Sequence, residues 1–191
     1  WFLKDQSDWT PPDDLVRFLA DGPAPVYVGF GSMVAENAEG FTRTVIEGIQ
    51  QAGVRAVLAT GWGGLREGDL PAGIFRLKEA PHDWLFPQMA AVAHHGGAGT
   101  TGAGLRAGKP TVIVPFIADQ PFWGQQVARL GVGPAAIPQK RFTAESFAAA
   151  LKTVTTDAGM RARAVQLGER IRTEDGVGEA VRVIQQVLGV P

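Results

Sequence analysis

A single stretch, residues 90–120, constrains the fold of this chain more than any other part of its sequence. It reads AAVAHHGGAGTTGAGLRAGKPTVIVPFIADQ, a glycine-rich segment with an apolar run on each side. The pattern predicts a strand, a tight turn, a helix, a second strand and a polar tip at Asp119 and Gln120. In an open parallel sheet the carboxyl ends of the strands meet at one edge, so we expect the turn and the tip to lie close together.

Apolar runs and helical patterns also alternate along the rest of the chain. The sequence predicts strands at residues 26–30, 54–59, 74–77, 90–93, 111–116 and 132–137, and helices at residues 13–21, 38–51, 98–108, 121–130, 143–155, 157–172 and 177–188, with a short helix starting at Asp83. This alternation is typical of an α/β fold, a Rossmann-like, doubly wound parallel sheet with right-handed crossovers.

The last predicted helix carries an apolar stripe at helical spacing. Its members are Val177, Val181, Ile184 and Leu188. A stripe of this kind usually faces the interior of a globular protein, so we predict that it packs against the core.

The amino-acid composition limits the classes of function that this chain can have. The chain has 191 residues, of which 45% are hydrophobic, and it is long enough for one domain. A net charge of -1 and a pI near 6.3 give no electrostatic footprint for nucleic acid or an anionic membrane, so phosphate binding would have to be local. The absence of cysteine excludes disulfides, thiolate metal sites and cysteine nucleophiles. No apolar run approaches the length of a membrane span, so we expect a cytoplasmic protein, with peripheral membrane association left open.

The chain opens with the segment WFLKDQSDWTPPDD, which is rich in aromatic residues and proline and has no clear periodicity. We predict that residues 1–22 are a former interdomain linker with a short helix, and that residues 23–191 form one domain. A processed N-terminus is the alternative explanation.

Three glycines in the central stretch match a known nucleotide-binding pattern. Gly97, Gly99 and Gly102 give G-x-G-x-x-G between a predicted strand and a predicted helix. Asp119 follows about 20 residues later, as in the fingerprint of dinucleotide-binding proteins. A dinucleotide-dependent oxidoreductase domain is therefore an alternative. Against it, the fingerprint normally occupies the first strand-to-helix turn, whereas three predicted strands come earlier in this chain.

The same residues can instead hold a diphosphate at the entrance of the predicted helix. Backbone N–H groups of Gly97, Gly99 and Thr100 would donate hydrogen bonds to it. The Thr100 hydroxyl and a ring N–H of His95 would add two more donors. Glycine suits these positions because a Cβ would block the close approach of a ligand. We expect the negative ligand to raise the pKa of His95 and to keep its ring a donor.

The residues beside this turn divide into ligand-facing and structural candidates. Asp119 and Gln120 offer acceptors and an amide donor, which are the groups that sugar hydroxyls require. Adjacent residues of a strand point to opposite faces, so we assign His95 to the ligand and His94 to a structural role.

Three further residues are candidates for the same edge of the sheet. Ser32 lies in a Gly-Ser turn between a strand and a helix, where an anion is favoured, although most such turns are simple connections. Trp62, in the loop TGWGGL, either covers a base or sugar or packs on the sheet edge. His82 precedes the short helix in a loop, where a histidine is more often solvated than functional.

The segment VAHHGGAGTTGAGLRAGKPTVIVPFIADQPFW, with VYVGFGSM and PHDWLF before it, resembles family 1 GT-B glycosyltransferases, most closely the bacterial and fungal sterol 3-β-glucosyltransferase group. The resemblance spans essentially the whole chain. It implies two Rossmann-like domains that face each other across a cleft. The present chain is similar to the C-terminal half, which holds the nucleotide-sugar donor, and the N-terminal acceptor domain would be absent.

The resemblance also implies roles for individual residues. It assigns diphosphate contacts to Ser32, His95, Gly97 and Thr100, sugar contacts to Asp119 and Gln120, and contacts with the base to the backbone at residues 80–82. Plant members differ, with a Trp-Asn pair in place of Ala98-Gly99, a ribose-binding glutamate in place of Ala103, and a stacking tryptophan with no counterpart near Glu79. Uridine and thymidine donors both remain open, and Trp62 and Trp84 are the candidates to replace the stacking tryptophan.

The implied reaction is an inverting transfer of a hexose to a hydroxyl of a sterol-like or other lipophilic small molecule. UDP-glucose is the favoured donor within the class of UDP- and TDP-sugars, and no cofactor is expected. The sequence has no D-x-D motif that would hold a metal. We therefore assign the stabilisation of the leaving-group charge to the helix entrance and His95. The catalytic base would lie in the N-terminal domain, so we expect this chain to bind donor without transferring sugar. A nucleotide-sugar 2-epimerase and a non-catalytic sugar-nucleotide sensor are the alternatives.

Overall fold

The computed structural model describes residues 9–31, 38–59 and 70–189. In these residues, five parallel strands form one sheet in the order β3-β2-β1-β4-β5: β1 (Val26–Gly29), β2 (Ala56–Ala59), β3 (Ile74–Leu77), β4 (Ala91–His94) and β5 (Thr111–Ile113). The helices are α1 (Asp13–Ala20), α2 (Ala38–Ala52), α3 (His82–Leu85), α4 (Ala98–Arg106), α5 (Gln120–Arg129), α6 (Ala144–Thr156), α7 (Ala158–Arg172) and α8 (Gly176–Leu188). The predicted doubly wound α/β fold is confirmed.

Helices cover both faces of this sheet. Successive strand residues point to opposite faces, so Val26 and Val28 pack with α2 and α6, whereas Tyr27 between them packs with α1, α3 and α4. Because both faces are covered, strands β1, β2 and β4 consist mainly of apolar residues and do not alternate apolar with polar ones. Helix α1 belongs to this core, since its Leu15 is fully buried within the segment that the sequence assigned to a linker.

The strand order reverses between β1 and β4. The chain runs outward from β1 to β3 and then returns to the other side of β1, where β4 pairs with it and Gly29 lies opposite His94. In an open α/β sheet, ligands bind in the crevice outside the carboxyl ends of the strands at such a reversal. The turns that follow Gly29 and His94 therefore border the expected binding crevice.

The predicted sixth strand at residues 132–137 is wrong. The segment runs beside β5, where Thr111 N donates to Val132 O and Ile137 N donates to Ile113 O, both at 2.9 Å. Between these bonds Pro134 has no N–H to donate. Gly133 lies so close to β5 that a Cβ would collide with the Thr111 carbonyl oxygen. Val132 and Ile137 of this segment are buried, but its backbone cannot form a ladder.

The predicted core packing of the last helix is also wrong. No residue of α8 is buried, and the side chains of Val177, Val181, Ile184 and Leu188 are between 48% and 67% exposed. Helical spacing identifies an amphipathic helix, but it does not say what the apolar face packs against. Among the described helices, including α8, none is long and apolar enough to cross a membrane.

Candidate functional site

The turns after β1 and β4 meet at the carboxyl edge of the sheet. Gly31 follows β1, and a Cβ added to it would lie 3.2 Å from His95 Cε1. The imidazole that follows β4 is therefore packed directly against the backbone that follows β1. The structure thus brings His95 to the point where the strand order reverses.

Helix α4 begins at the same edge, and its first N–H groups have no acceptor in the helix. Gly97 is the N-cap and has no side chain with which to cap the helix, and the first intrahelical bond runs from Thr101 N to Gly97 O at 2.9 Å. The N–H groups of residues 98–100 precede that bond. A Cβ on Gly99 would meet no atom of the described residues within 4 Å, so these residues leave the entrance open. Such an entrance favours an anion through its N–H groups and the helix dipole.

The His95 ring lies beside this entrance. A Cβ on Gly97 would be 2.5 Å from His95 Nε2, so this nitrogen faces the start of α4. The Nδ1 atom is buried and has no hydrogen-bond partner in the described part of the chain. Partial burial lowers the pKa of His95, and the nearby Asp119 carboxylate raises it in part. The ring is therefore neutral near pH 7 without a ligand, and the increase in its pKa on ligand binding stays a prediction.

The expected proximity of the turn and the polar tip is present in the structure. A Cβ on Gly96, which has a φ of 95°, would lie 3.1 Å from Gln120 O. Asp119 is exposed, and its Oδ2 accepts a 2.8 Å hydrogen bond from Trp123 Nε1. Ala118 just before it has a φ of 58°, in the left-handed region that alanine rarely adopts. The aspartate is thus held by a neighbouring indole at a strained point of the loop.

Gln120 has a structural task that its sequence did not reveal. Its side chain is buried, and its Oε1 accepts hydrogen bonds from Phe116 N at 2.6 Å and Ile117 N at 3.1 Å. The side-chain oxygen therefore closes the loop that carries Asp119. The predicted sugar contact of Gln120 would have to come from its amide nitrogen or its backbone.

His82 does not lie in a solvated loop, so that expectation is wrong. It is the first residue of α3 and is half-buried, with its ring stacked on Phe86 at a centroid distance of 4.3 Å and 5.9 Å from the Tyr27 ring. Burial lowers its pKa, and Asp83 raises it in part. Trp84 on the same helix packs against Trp9, with ring centroids 4.9 Å apart. Ser32 and Trp62 lie outside the described residues, so their roles stay predictions.

His94 is structural in the sense that the sequence predicted. It is completely buried, and its Nδ1 accepts a 3.0 Å hydrogen bond from Gly96 N. Burial, together with smaller contributions from the neighbouring His95 and His82, lowers its pKa to about 3. His94 therefore remains neutral over the whole physiological range of pH.

Acidification is expected to destabilise the chain through His94. The pKa of His94 is about 3 in the folded chain, and its ordinary value is 6.5. Below pH 6.5 the unfolded chain therefore binds a proton at His94 that the folded chain does not bind. Between pH 7.5 and 5 the parent should therefore lose about 2 kcal/mol more stability than a His94→Asn variant. Urea unfolding of both proteins across this range measures the difference. Stability curves that stay parallel over the whole range would contradict the lowered pKa.

The described residues contain no group of three or more histidine, aspartate or glutamate side chains that could hold a metal ion. The donors at this edge of the sheet are instead backbone N–H groups and one imidazole. Their chemistry fits an anion better than a cation.

Comparison with known families agrees with this geometry. The family model described as "Erythromycin biosynthesis protein CIII-like, C-terminal domain" matches residues 31–186. The chain belongs to this family. As a member of the EryCIII-like C-terminal domain family, it is 50% identical over 201 residues to a protein named sterol 3-beta-glucosyltransferase from Emericella nidulans, and 48% identical to one of the same name from Aspergillus terreus. Each alignment covers 98% of this chain and 14% of the relative's length.

Two solved structures with the same fold as this EryCIII-like domain are named as glycosyltransferases. CalG4, the calicheamicin glycosyltransferase, superposes with a TM-score of 0.74 at 24% identity, over 95% of this chain and 46% of that one. SnogD from Streptomyces nogalater gives a TM-score of 0.63 at 25% identity, over 89% and 42% of the two chains. The predicted resemblance to family 1 GT-B glycosyltransferases is therefore confirmed, and the chain spans less than half of each of these two structures.

Proposed function

We propose that the carboxyl edge of this sheet binds the diphosphate of a nucleotide sugar, and that the chain is the donor-binding part of a glycosyltransferase. The observation that carries the proposal is the position of α4. It begins at the reversal of the strand order, with open N–H groups and the His95 imidazole beside them. Few arrangements of neutral groups suit a diphosphate better than a helix entrance with an added donor.

The site offers two kinds of stabilisation to a departing nucleoside diphosphate. The N–H groups of α4 are fixed by the helix and need no reorganisation as negative charge develops. His95 is neutral without ligand because burial lowers its pKa, and a nearby diphosphate favours the protonated ring. Binding should then draw a proton onto His95, which makes the ring a charged donor to the leaving group.

The sugar would lie on the side of Asp119. This carboxylate is exposed, and the indole of Trp123 holds its Oδ2, so the remaining oxygen can accept a hydrogen bond from a sugar hydroxyl. The loop that carries it contacts the turn at Gly96, so one ligand can reach both groups.

The names of the relatives support the finer points of the proposed reaction. Proteins named sterol 3-beta-glucosyltransferase support a glucose donor, with UDP-glucose favoured, and a sterol-like or other lipophilic acceptor. We propose an inverting transfer without a metal, because the helix entrance and His95 can carry the charge of the leaving group. The base that activates the acceptor hydroxyl is not assigned to any described residue, and a cytoplasmic location stays an expectation.

Removal of the His95 imidazole is the direct test of this proposal. His95→Ala should weaken UDP binding by about 10- to 100-fold, since a charged hydrogen bond contributes about 1.5–3 kcal/mol. His95→Gln, whose side-chain amide can place an N–H near the position of Nε2, should recover most of the affinity. Thr100→Ala should show a smaller loss, which Thr100→Ser reverses. Calorimetric titration of each protein with UDP measures these affinities.

Two control ligands test the role of the phosphate and the oxidoreductase alternative. Uridine has no phosphate, so its weak binding should be the same in the parent and in His95→Ala. NAD tests the dinucleotide-dependent oxidoreductase that the G-x-G-x-x-G pattern leaves open, and we expect it to bind more weakly than UDP. Equal UDP affinity in the parent and in His95→Ala would remove the assignment of His95. Preferential binding of NAD would overturn the proposed function as a whole.

A further inference from the structure

One hydrogen bond fixes the turn between β4 and α4. His94 is the last residue of β4, and its Nδ1 accepts from Gly96 N at 3.0 Å, so the bond spans only two residues. Gly96 has a φ of 95°, a conformation that side-chain-bearing residues rarely adopt, and there is no room for a Cβ, which would lie 2.9 Å from Ile113 Cγ2. The turn is thus tied to the strand on one side and packed against β5 on the other.

The other ring nitrogen of His94, Nε2, makes no hydrogen bond in the described structure. A neutral imidazole whose Nδ1 accepts a hydrogen bond carries its proton on Nε2. That Nε2 atom is buried and has no hydrogen-bond partner among the described residues. An unpaired buried donor is destabilising, and an apolar side chain of similar size would avoid it. Packing alone therefore does not explain a histidine here, whereas the acceptor that it offers to Gly96 does.

The bond to His94 determines which N–H groups remain for a ligand. Because Gly96 N–H points back to the strand, the chain turns at Gly96 and Gly97 becomes the N-cap of α4. The next N–H groups, from Ala98 onward, then face the open entrance. A turn without this bond could present Gly96 N–H outward and would shift the start of the helix relative to His95.

We propose that His94 is a positioning residue, whose neutral imidazole holds the Gly96 amide and thereby aligns the entrance of α4 with His95 for the diphosphate. This inference rests on the proposed function of the same site. Among the residues that the structure describes, the titratable groups that act on the ring are His95 and His82, and both oppose a positive charge on it, as does burial. A protonated Nδ1 would donate and could no longer accept from Gly96, so the surroundings of His94 preserve the state that the bond requires.

Two substitutions of His94 separate this role from simple packing. His94→Asn keeps an acceptor, because its Oδ1 takes the position of Nδ1, but it leaves a cavity where the rest of the ring was. His94→Leu fills most of that space but removes the acceptor. We expect His94→Asn to bind UDP within about threefold of the parent, and His94→Leu to bind it at least tenfold more weakly. The stability of the leucine variant should equal or exceed that of the asparagine variant.

Titration with UDP and urea unfolding of the three proteins give both quantities. If affinity follows stability instead of the acceptor, or if His94→Leu binds UDP like the parent, the positioning role is wrong. Nitrogen NMR of the imidazoles gives a second measurement, in which the His94 signals are identified by their loss in His94→Asn. An unprotonated Nδ1 and a protonated Nε2 are expected near pH 7, and the reverse tautomer would overturn the inference. A parent chain that shows this tautomer but does not bind UDP would contradict the proposed function, and the positioning role would fall with it.

Discussion

Gly97→Ala is expected to weaken UDP binding by about 100-fold, whereas Gly104→Ala, the same change seven residues later and inside α4, should leave the affinity within about twofold. The backbone of Gly97 has a φ of -61° and a ψ of 140°, which any residue adopts, so the requirement for glycine is not conformational. It comes from the imidazole instead. A methyl group at this position would lie 2.5 Å from His95 Nε2.

The His95 ring has little room in which to yield. Its Cε1 already lies 3.2 Å from the position of a Cβ on Gly31, so the ring is wedged between two backbone segments. Either the imidazole rotates out of the site or the turn moves, and both outcomes separate His95 from the start of α4. Because the diphosphate is proposed to bind where the two meet, either movement removes several donors at once.

Gly104 supplies a matched control for this prediction. A Cβ on Gly104 would lie 3.5 Å from Thr111 Oγ1 and 3.7 Å from Val92 Cβ, which are ordinary contacts. Alanine is favoured over glycine inside a helix by about 1 kcal/mol, so Gly104→Ala should be slightly stabilising. Calorimetric titration with UDP and thermal unfolding of both variants check the pair. If the two variants bind UDP equally well, the His95 ring is not what makes Gly97 necessary.

The strand, turn and helix around the site could be predicted from the sequence, because the pattern is local. Apolar runs ending in histidine and glycine residues leave few alternatives to a strand followed by a tight turn. The doubly wound sheet follows from alternating strands and helices, whereas the place at which the strand order reverses is a property of the whole sheet that the sequence did not specify. The proximity of Gly96 to the Asp119-Gln120 tip is therefore a correct prediction from topology.

The features that the sequence did not predict depend on contacts between residues that are far apart in the chain. The sequence gives the donors and acceptors of Gln120, but not that the backbone of Phe116 and Ile117 occupies its oxygen. It likewise places His82 before a short helix without indicating that its ring stacks on Phe86. Val132 and Ile137 are buried, but the close approach of Gly133 to β5 prevents the strand predicted at residues 132–137.

Phe147→Ala is expected to lower the free energy of unfolding by about 3–5 kcal/mol, the largest stability loss that we predict for a single substitution in this chain. Phe147 lies on α6, is completely buried, and faces the Gly48 backbone of α2 so closely that a Cβ on Gly48 would be 2.8 Å from its ring. Its ring also packs against Phe142, with centroids 5.4 Å apart. Truncation would leave a cavity between the two helices and the sheet, which these backbones can close only in part.

Phe122→Ala is the matched control, because it makes the same chemical change on α5 at a side chain that is 51% exposed. Phe122→Ala should lower the free energy of unfolding by less than about 1 kcal/mol, since solvent already covers half of the ring. Urea unfolding of both variants measures the difference. A typical domain is stable by about 5–15 kcal/mol, so the loss at Phe147 would remove a third or more of the total in most of this range. Similar losses for the two variants would mean that α6 and α2 relax into the space, and that the contact between Phe147 and Gly48 does not fix the distance between these helices.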